Sequence, residues 1–376
     1  MAEEEERKTG SKVTPWEVSG EIDYGKLIKE FGISPIDELP KEFQKEILFR
    51  RGLVFAHRDI QRILEAIKAK KPFAMMTGMM PTGKFHIGHM MVARQMVFWQ
   101  SMGAKIYITV ADIEAYNARN QSLEESRKIA QDYLLNYIAL GLKPKNCEIY
   151  FQSERSKDGN KSNAYYRLQN LFARHATFNE FRAVYGEISP GKMVSSLLQA
   201  ADMFHPQLPE FNNPLPTLVP VGIDQDPHIR LARDISQRIK GFNFIQLSST
   251  YNLFMPGLKG GKMSASDPTS YIAPTDTPEE VRNKIMKHAF SGGQATLELQ
   301  RKKGGNPDID VSLQYLKMMF EEDDKKLKKI HDDYRSGKML TGELKQILVD
   351  KINAFLKHHQ AEMEKARKKM NSFLPK

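Results

Sequence analysis

An α/β fold is what this sequence predicts: a parallel sheet wrapped by helices, with a helical insertion and an all-helical C-terminal region. Three features carry that expectation. Short apolar strands alternate with helical patterns through the first half of the chain, as strand–helix–strand crossovers require. The segment from Ala164 to Phe204 is helical in pattern with no strand inside it. Beyond Pro278 the pattern stays helical, broken only at glycine pairs such as Gly292-Gly293 and Gly304-Gly305. At 376 residues the chain is long enough for two or three domains and a sizeable core.

Residues 1–52 form a polar preface that starts with Glu3-Glu4-Glu5-Glu6 and contains Pro15-Trp16 and Asp23-Tyr24-Gly25-Lys26-Leu27. It is either a surface extension packed by Trp16 or a cover over a site in the next domain. A helical pattern over 60–70 precedes a short apolar strand at 73–77 that ends in Gly78. Met91, Met96 and Trp99 then space a helix from Met90 to Ser101. A second strand is expected over 105–110, a helix over 123–140 and a third strand over 147–151. In such sheets the ligand sits beyond the carboxyl ends of the strands, and both 78–89 and Asp112 to Glu114 fall there. A fourth buried strand over 217–222 feeds Asp224-Gln225-Asp226-Pro227, where Asp226 suits a helix cap and Pro227 its first position.

The formal net charge of +10 and pI near 9.3 fit a polyanionic partner. From Thr275 onward there are 21 Lys/Arg against 16 Asp/Glu, so half the excess lies on about a quarter of the chain. The single cysteine, Cys147, excludes an internal disulfide and a cysteine-based zinc site, and suits a reduced, structural thiol. No stretch is apolar enough to span a membrane and no signal-peptide pattern occurs, so the expected compartment is the cytoplasm.

Two short motifs lie about half the chain apart. The first is Pro81-Thr82-Gly83-Lys84-Phe85-His86-Ile87-Gly88-His89, just after an apolar strand, where a helix N-terminus can receive phosphates. The second is Lys262-Met263-Ser264-Ala265-Ser266, in a loop that begins at Gly257 and can bring an ammonium and two hydroxyls to the same phosphates. Together they are the HIGH and KMSKS signatures, and on them the chain resembles the class I aminoacyl-tRNA synthetases. Further segments are similar to the archaeal and eukaryotic tryptophanyl-tRNA synthetases: Gly222 to Pro227, the alanine at 265, Gln199-Ala200-Ala201, Arg50-Arg51-Gly52, His288 to Gly293 and Met339 to Lys345. The resemblance runs from Pro15 over nearly the whole chain.

The resemblance implies a Rossmann-like catalytic domain at 53–274, with its helical insertion at about 152–212. It implies an N-terminal extension at 1–52 and an α-helical anticodon-binding domain at 275–376. It implies ATP-dependent attachment of L-tryptophan to tRNA(Trp) through an adenylate, with Mg2+ accompanying ATP, no protein-held metal, no membrane and a homodimer. His86, His89, Lys262, Ser264 and Ser266 would serve the phosphates. Thr82, Gly83, Gly88, Gly222, Asp224 and Met263 would line the ATP side. Glu114, Gln199 and Gln225 would hold the tryptophan ammonium. At the two positions where eukaryotic members receive the indole N–H, this chain has Met76 and Thr109. Methionine is a poor acceptor, so the indole partner is left to Thr109, Glu114 or a water. The alternatives are a tyrosyl-tRNA synthetase, whose phenol pocket needs other polar partners, and a non-catalytic synthetase-like RNA-binding protein.

Overall fold

The computed structural model describes residues 12–13, 18–19, 24–36, 39–261, 263 and 267–373. Its centre is a seven-stranded sheet: β1 (Ser34–Pro35), β2 (Val54–Arg58), β3 (Ala74–Met79), β4 (Lys105–Val110), β5 (Cys147–Phe151), β6 (Thr217–Gly222) and β7 (Ser248–Asn252), in the order β1-β2-β7-β6-β3-β4-β5. The five strands from β7 to β5 are parallel, whereas β2 runs antiparallel to β7 and β1 antiparallel to β2. The chain leaves β3 toward β4 and β5, then returns to lay β6 on the other side of β3. That reversal opens a crevice at the carboxyl ends of β3 and β6.

Strand alternation decides which side chains face it. Met75, Met79, Ile106, Ile108 and Val110 pack into one apolar cluster, which continues through Phe43, Phe49, Phe98 and Trp99 into the C-terminal helices. Met76, Tyr107 and Val219 point the other way, into a second cluster shared with the insertion.

Helix α1 (Tyr24–Phe31) packs on Ala56, Ile223 and Tyr251, and the Tyr24 hydroxyl accepts the Phe254 N–H at 3.2 Å. Helix α1 therefore lies against the sheet beside Asp224, while Trp16 lies outside the described residues. Around the sheet come α2 (Gln61–Lys68), α3 (Met90–Ser101), α4 (Asp112–Arg119) and α5 (Leu123–Ala139), then the insertion helices α6 (Gly159–Phe172), α7 (Phe178–Tyr185) and α8 (Pro190–Phe204). Helix α9 (Asp226–Arg238) joins β6 to β7. The C-terminal region holds α10 (Pro278–His288), α11 (Leu297–Lys303), α12 (Val311–Tyr315), α13 (Asp324–Arg335) and the long α14 (Thr341–Arg367), which packs back on α5. No helix among the described residues is long and apolar enough to cross a membrane.

Three strands differ from the sequence expectation. β1, β2 and β7 were not anticipated, because Ser248-Ser249-Thr250-Tyr251-Asn252 has no apolar alternation. Its polar atoms are satisfied instead by specific partners. Ser248 donates to the Asp59 carbonyl at 2.7 Å and Ser249 to the Tyr251 hydroxyl at 2.8 Å.

Candidate active site

A cavity of about 330 Å3 opens at the carboxyl ends of β3, β4 and β6. Met76 and Thr109 reach it from the strands, Glu114 from α4, and Gly222, Asp224 and Gln225 from the turn after β6. Helix α8 supplies a further wall. Ser189 caps its N-terminus and Pro190 occupies the first turn. The i, i+3, i+4 spacing then puts Gln199, Asp202 and Met203 on the cavity face. Asp112 sets the start of α4 by accepting the Ser153 N–H at 3.0 Å, which ties the ends of β4 and β5 together. All five residues expected at the amino acid side therefore share one cavity with two of those expected at the nucleotide side.

The cavity is anionic at its floor. Asp202 is fully buried. Its Oδ1 accepts the Tyr165 hydroxyl at 2.6 Å and the Tyr150 hydroxyl at 2.7 Å, and its Oδ2 accepts Gln152 Nε2 at 2.8 Å. Burial pushes its pKa up to about 6 against the lowering effect of these donors and of neighbouring Thr109. A carboxylate offers about four acceptor sites; these three donors take three of them, and the Thr109 hydroxyl neighbours the fourth. Glu114 is pushed up to about 7, first by burial and then by the Asp202 charge, with Arg119 opposing. Two carboxylates held at this cost call for a ligand that brings a positive charge and a hydrogen-bond donor.

The first motif forms a tight turn into α3. Gly83 takes φ +71°, the left-handed region a side chain resists, and Thr82 N–H closes onto the Met80 carbonyl at 2.8 Å. His86 caps the turn Ile87–His89: its Nδ1 accepts the Gly88 N–H at 3.2 Å, while His89 Nδ1 accepts the His86 N–H at 3.1 Å. Both neutral imidazoles consequently carry their proton on Nε2. The rings stack with centroids 3.8 Å apart. Burial holds His86 down at about 4 and His89 well below its ordinary value, so both are neutral donors rather than cations. The sequence suggests that backbone amides of this turn receive phosphate. The structure spends the Gly88 amide on His86 and leaves the His86 Nε2–H as the donor, since His89 Nε2 faces the Tyr133 hydroxyl at 3.1 Å.

The second motif lies against the first. Ile87 N–H donates to the Ile272 carbonyl at 3.1 Å, and Tyr271 sits 5.2 Å from the His86 ring. A Cβ on Gly88 would come within 2.9 Å of Met263 Sδ, so glycine there lets the two segments approach. Gly222 is comparably tight, since a Cβ would lie 2.6 Å from Asp224 Oδ1. Lys262, Ser264 and Ser266 lie outside the described residues. Asp267, at the loop's far end, pairs with Lys259 at 2.8 Å.

One expectation is corrected. Asp226 is not a cap: it is the first residue of α9, and Gln225 precedes it with no side-chain cap bond. Its buried carboxylate instead takes Arg58 at 2.9 Å, Arg230 at 3.0 Å and the Tyr251 hydroxyl. Three residues of the site were missed. Asp202 was signalled by its spacing of three from Gln199 on one helix, and Gln152 by its place at the end of β5. Tyr133, whose hydroxyl lies 3.1 Å from His89 Nε2, gave no signal in the sequence.

Comparison with known proteins agrees with this geometry. The family model of class I tRNA synthetases (W and Y) matches residues 68–357. The tryptophan–tRNA ligase of Aeropyrum pernix is 42% identical over 95% of this chain and 96% of its own, and that of Methanocaldococcus jannaschii is 42% identical over the same shares. The crystal structure of the Aeropyrum pernix tryptophanyl-tRNA synthetase superposes with a TM-score of 0.88 over 94% of this chain and 96% of that one. The Plasmodium falciparum tryptophanyl-tRNA synthetase, at 33% identity, gives 0.82 over 94% and 95%. The chain belongs to the class I aminoacyl-tRNA synthetases of the tryptophan and tyrosine family, and within it to the tryptophanyl-tRNA synthetases of archaeal and eukaryotic type.

Proposed function

We propose that the chain attaches L-tryptophan to tRNA(Trp), with the cavity between β3, β4, β6 and α8 as the tryptophan seat and Asp202 as the acceptor of the indole N–H. The observation that carries this reading is the pair of buried carboxylates, Glu114 and Asp202, in one cavity with Gln199 and Gln225. Tryptophan brings the two things this floor lacks. Its ammonium offsets the Glu114 charge, with Gln199 and Gln225 adding amide oxygens, and its indole N–H is a donor that must be paired when buried. Met76 offers no good acceptor and Thr109 stands beside Asp202, so the carboxylate is the stronger partner.

The substrate carboxylate is its own nucleophile. It attacks the α-phosphorus of ATP, a carboxyl O–P bond forms, the bond to the β-phosphate oxygen breaks, and pyrophosphate leaves with the electron pair. Catalysis is then alignment and charge stabilisation. We assign His86 as the neutral donor, His89 as the ring that stacks beneath it and accepts its backbone N–H, Lys262 as the cation that follows the leaving group, and Ser264 and Ser266 as hydroxyl donors to pyrophosphate. Thr82, Gly83, Gly88, Gly222, Asp224 and Met263 are assigned to the ATP side, with Mg2+ entering on the phosphates. A terminal ribose hydroxyl of the tRNA then attacks the acyl carbon and AMP leaves.

We assign residues 1–52 to an extension, 53–274 to the catalytic domain with its insertion at 152–212, and 275–376 to the anticodon domain. Exposed Tyr116, Phe178 and Val194 lie on α4, α7 and α8, of which α8 packs on the other two, and suit a homodimer contact. The expected compartment is the cytoplasm.

ATP–pyrophosphate exchange with each of the twenty amino acids tests the reading. Tryptophan alone should support rapid exchange. Faster exchange with tyrosine would move the chain to the sister specificity, and none with any amino acid would point to a non-catalytic protein.

A further inference from the structure

The first motif is supported from behind by a single helix. On α5, Tyr133 is 2% exposed and its hydroxyl lies 3.1 Å from His89 Nε2, with the Thr82 carbonyl at 3.5 Å. His89 Nδ1 is already taken by the His86 N–H, so its Nε2–H donates to Tyr133 and the tyrosine's own proton faces Thr82. The His89 ring in turn stacks under His86. Phe85 wedges against Tyr133 and Tyr137 at centroid distances of 5.2 and 5.7 Å.

The other side of α5 meets the C-terminal helix. Asn136 holds its own helix by donating to the Asp132 carbonyl at 2.8 Å, and its Oδ1 lies 2.8 Å from His359 Nε2 on α14. Both side chains are buried, at 1% exposure each. Burial keeps His359 down at about 4, so the neutral ring donates. The next residue, Gln360, donates to the Pro274 carbonyl at 2.8 Å, in the segment that follows the second motif. Two consecutive residues of the last helix therefore grip the supports of both phosphate motifs.

We propose that α5 is the positioning element for amino acid activation, with Tyr133 orienting the His89 imidazole and His359 fixing where Tyr133 stands. This rests on the reading of His86 as the phosphate donor, with His89 stacked beneath it. Tyr133 and His359 are positioning residues, because neither touches a reacting atom. Helix α14 belongs to the C-terminal region, so that region is joined to the first motif through the buried His359–Asn136 hydrogen bond and α5.

Steady-state ATP–pyrophosphate exchange on the full chain tests this with His89→Ala, Tyr133→Phe, His359→Leu, His359→Gln and the Tyr133→Phe/His359→Leu double variant, each with its Tm. Loss of one hydrogen bond predicts a fall in kcat of about fivefold in Tyr133→Phe and in His359→Leu, with the tryptophan KM within about twofold. His359→Gln keeps an N–H for Asn136 and should return kcat to near the wild-type value. The double variant should fall by less than the product of the two single losses, because both act through one element. Wild-type kcat in Tyr133→Phe beside an impaired His89→Ala would overturn the proposal. So would a His359→Leu effect on Tm alone, or failure of glutamine to restore kcat. If His86→Ala, measured beside these variants, kept full activity, the donor reading of that histidine would fall, and this inference with it.

Discussion

His86 and His89 stack at 3.8 Å with each Nδ1 accepting a backbone N–H, and burial keeps both rings neutral. The neutral His86 ring still has an Nε2–H to donate, and in the proposed role its strength toward phosphate does not change across the working pH range. The titrating groups of the site are elsewhere. Glu114, raised to about 7, must be ionised to hold an ammonium.

The pH dependence follows. The tryptophan KM should rise as pH falls through about 7, because protonated Glu114 cannot pair with the ammonium. No further loss from the histidines is expected until pH approaches 4. In Glu114→Gln the acid limb of kcat/KM should move from about 7 down to about 6 or below, where Asp202 takes up its proton, with the tryptophan KM raised about tenfold or more at pH 8. An acid limb that stays at about 7 in that variant would assign it to another group.

The same carboxyl carries a stability signature of opposite sense. Its folded pKa lies above the unfolded value, so the folded chain holds the proton more tightly. The cost of ionising it is absent below about pH 4.5, grows as pH rises and is complete above about 7. Glu114→Gln should stabilise the ligand-free protein at pH 8, by up to roughly 3 kcal/mol, and much less at pH 5. Thermal melts at the two pH values check this, and equal effects at both would refute it.

Lys262→Ala should lower the rate of adenylate formation about a hundredfold while tryptophan affinity stays within about twofold. The ammonium meets charge that develops on the phosphates only during reaction. Pre-steady-state adenylate formation and equilibrium tryptophan binding separate the two, and a collapse of binding at constant rate would contradict the role.

Lys368 and Lys369 are exposed beyond the end of α14. Reversing both to glutamate should weaken tRNA charging and flatten its dependence on salt, while tryptophan activation survives. An unchanged salt slope in charging assays would place the polyanion on another face.

Much of this fold is written in local pattern. The strands at 105–110, 147–151 and 217–222 and the helix at 90–101 match their observed limits, because each buries an apolar run of the right period. Strand β7 was opaque for a physical reason. Its buried Ser248 and Thr250 are satisfied by Asp59 and Gln95, partners far off in sequence, and Ser249 by Tyr251 of the same strand. The acid at 226 was misjudged for the same reason. Local spacing suggested a cap, while Arg58 and Tyr251, which claim its carboxylate, come from other strands. For the candidate site, the resemblance named Glu114, Gln199 and Gln225, whereas Asp202 had only its spacing from Gln199 as a signal, and its partners Tyr150 and Tyr165 come from other elements.

The proposed role of Asp202 as acceptor of the indole N–H is open to direct measurement. The measurement is kcat/KM for tryptophan against its analogue with sulfur in place of the indole N–H, in the wild-type chain and in Asp202→Ala. Each protein serves as its own control for any loss of stability. The wild-type chain should prefer tryptophan by about tenfold or more, the cost of leaving a buried acceptor unpaired, and Asp202→Ala should shrink the preference to within about threefold. A preference that survives intact in Asp202→Ala would mean that the indole is read by another group, and would contradict the account.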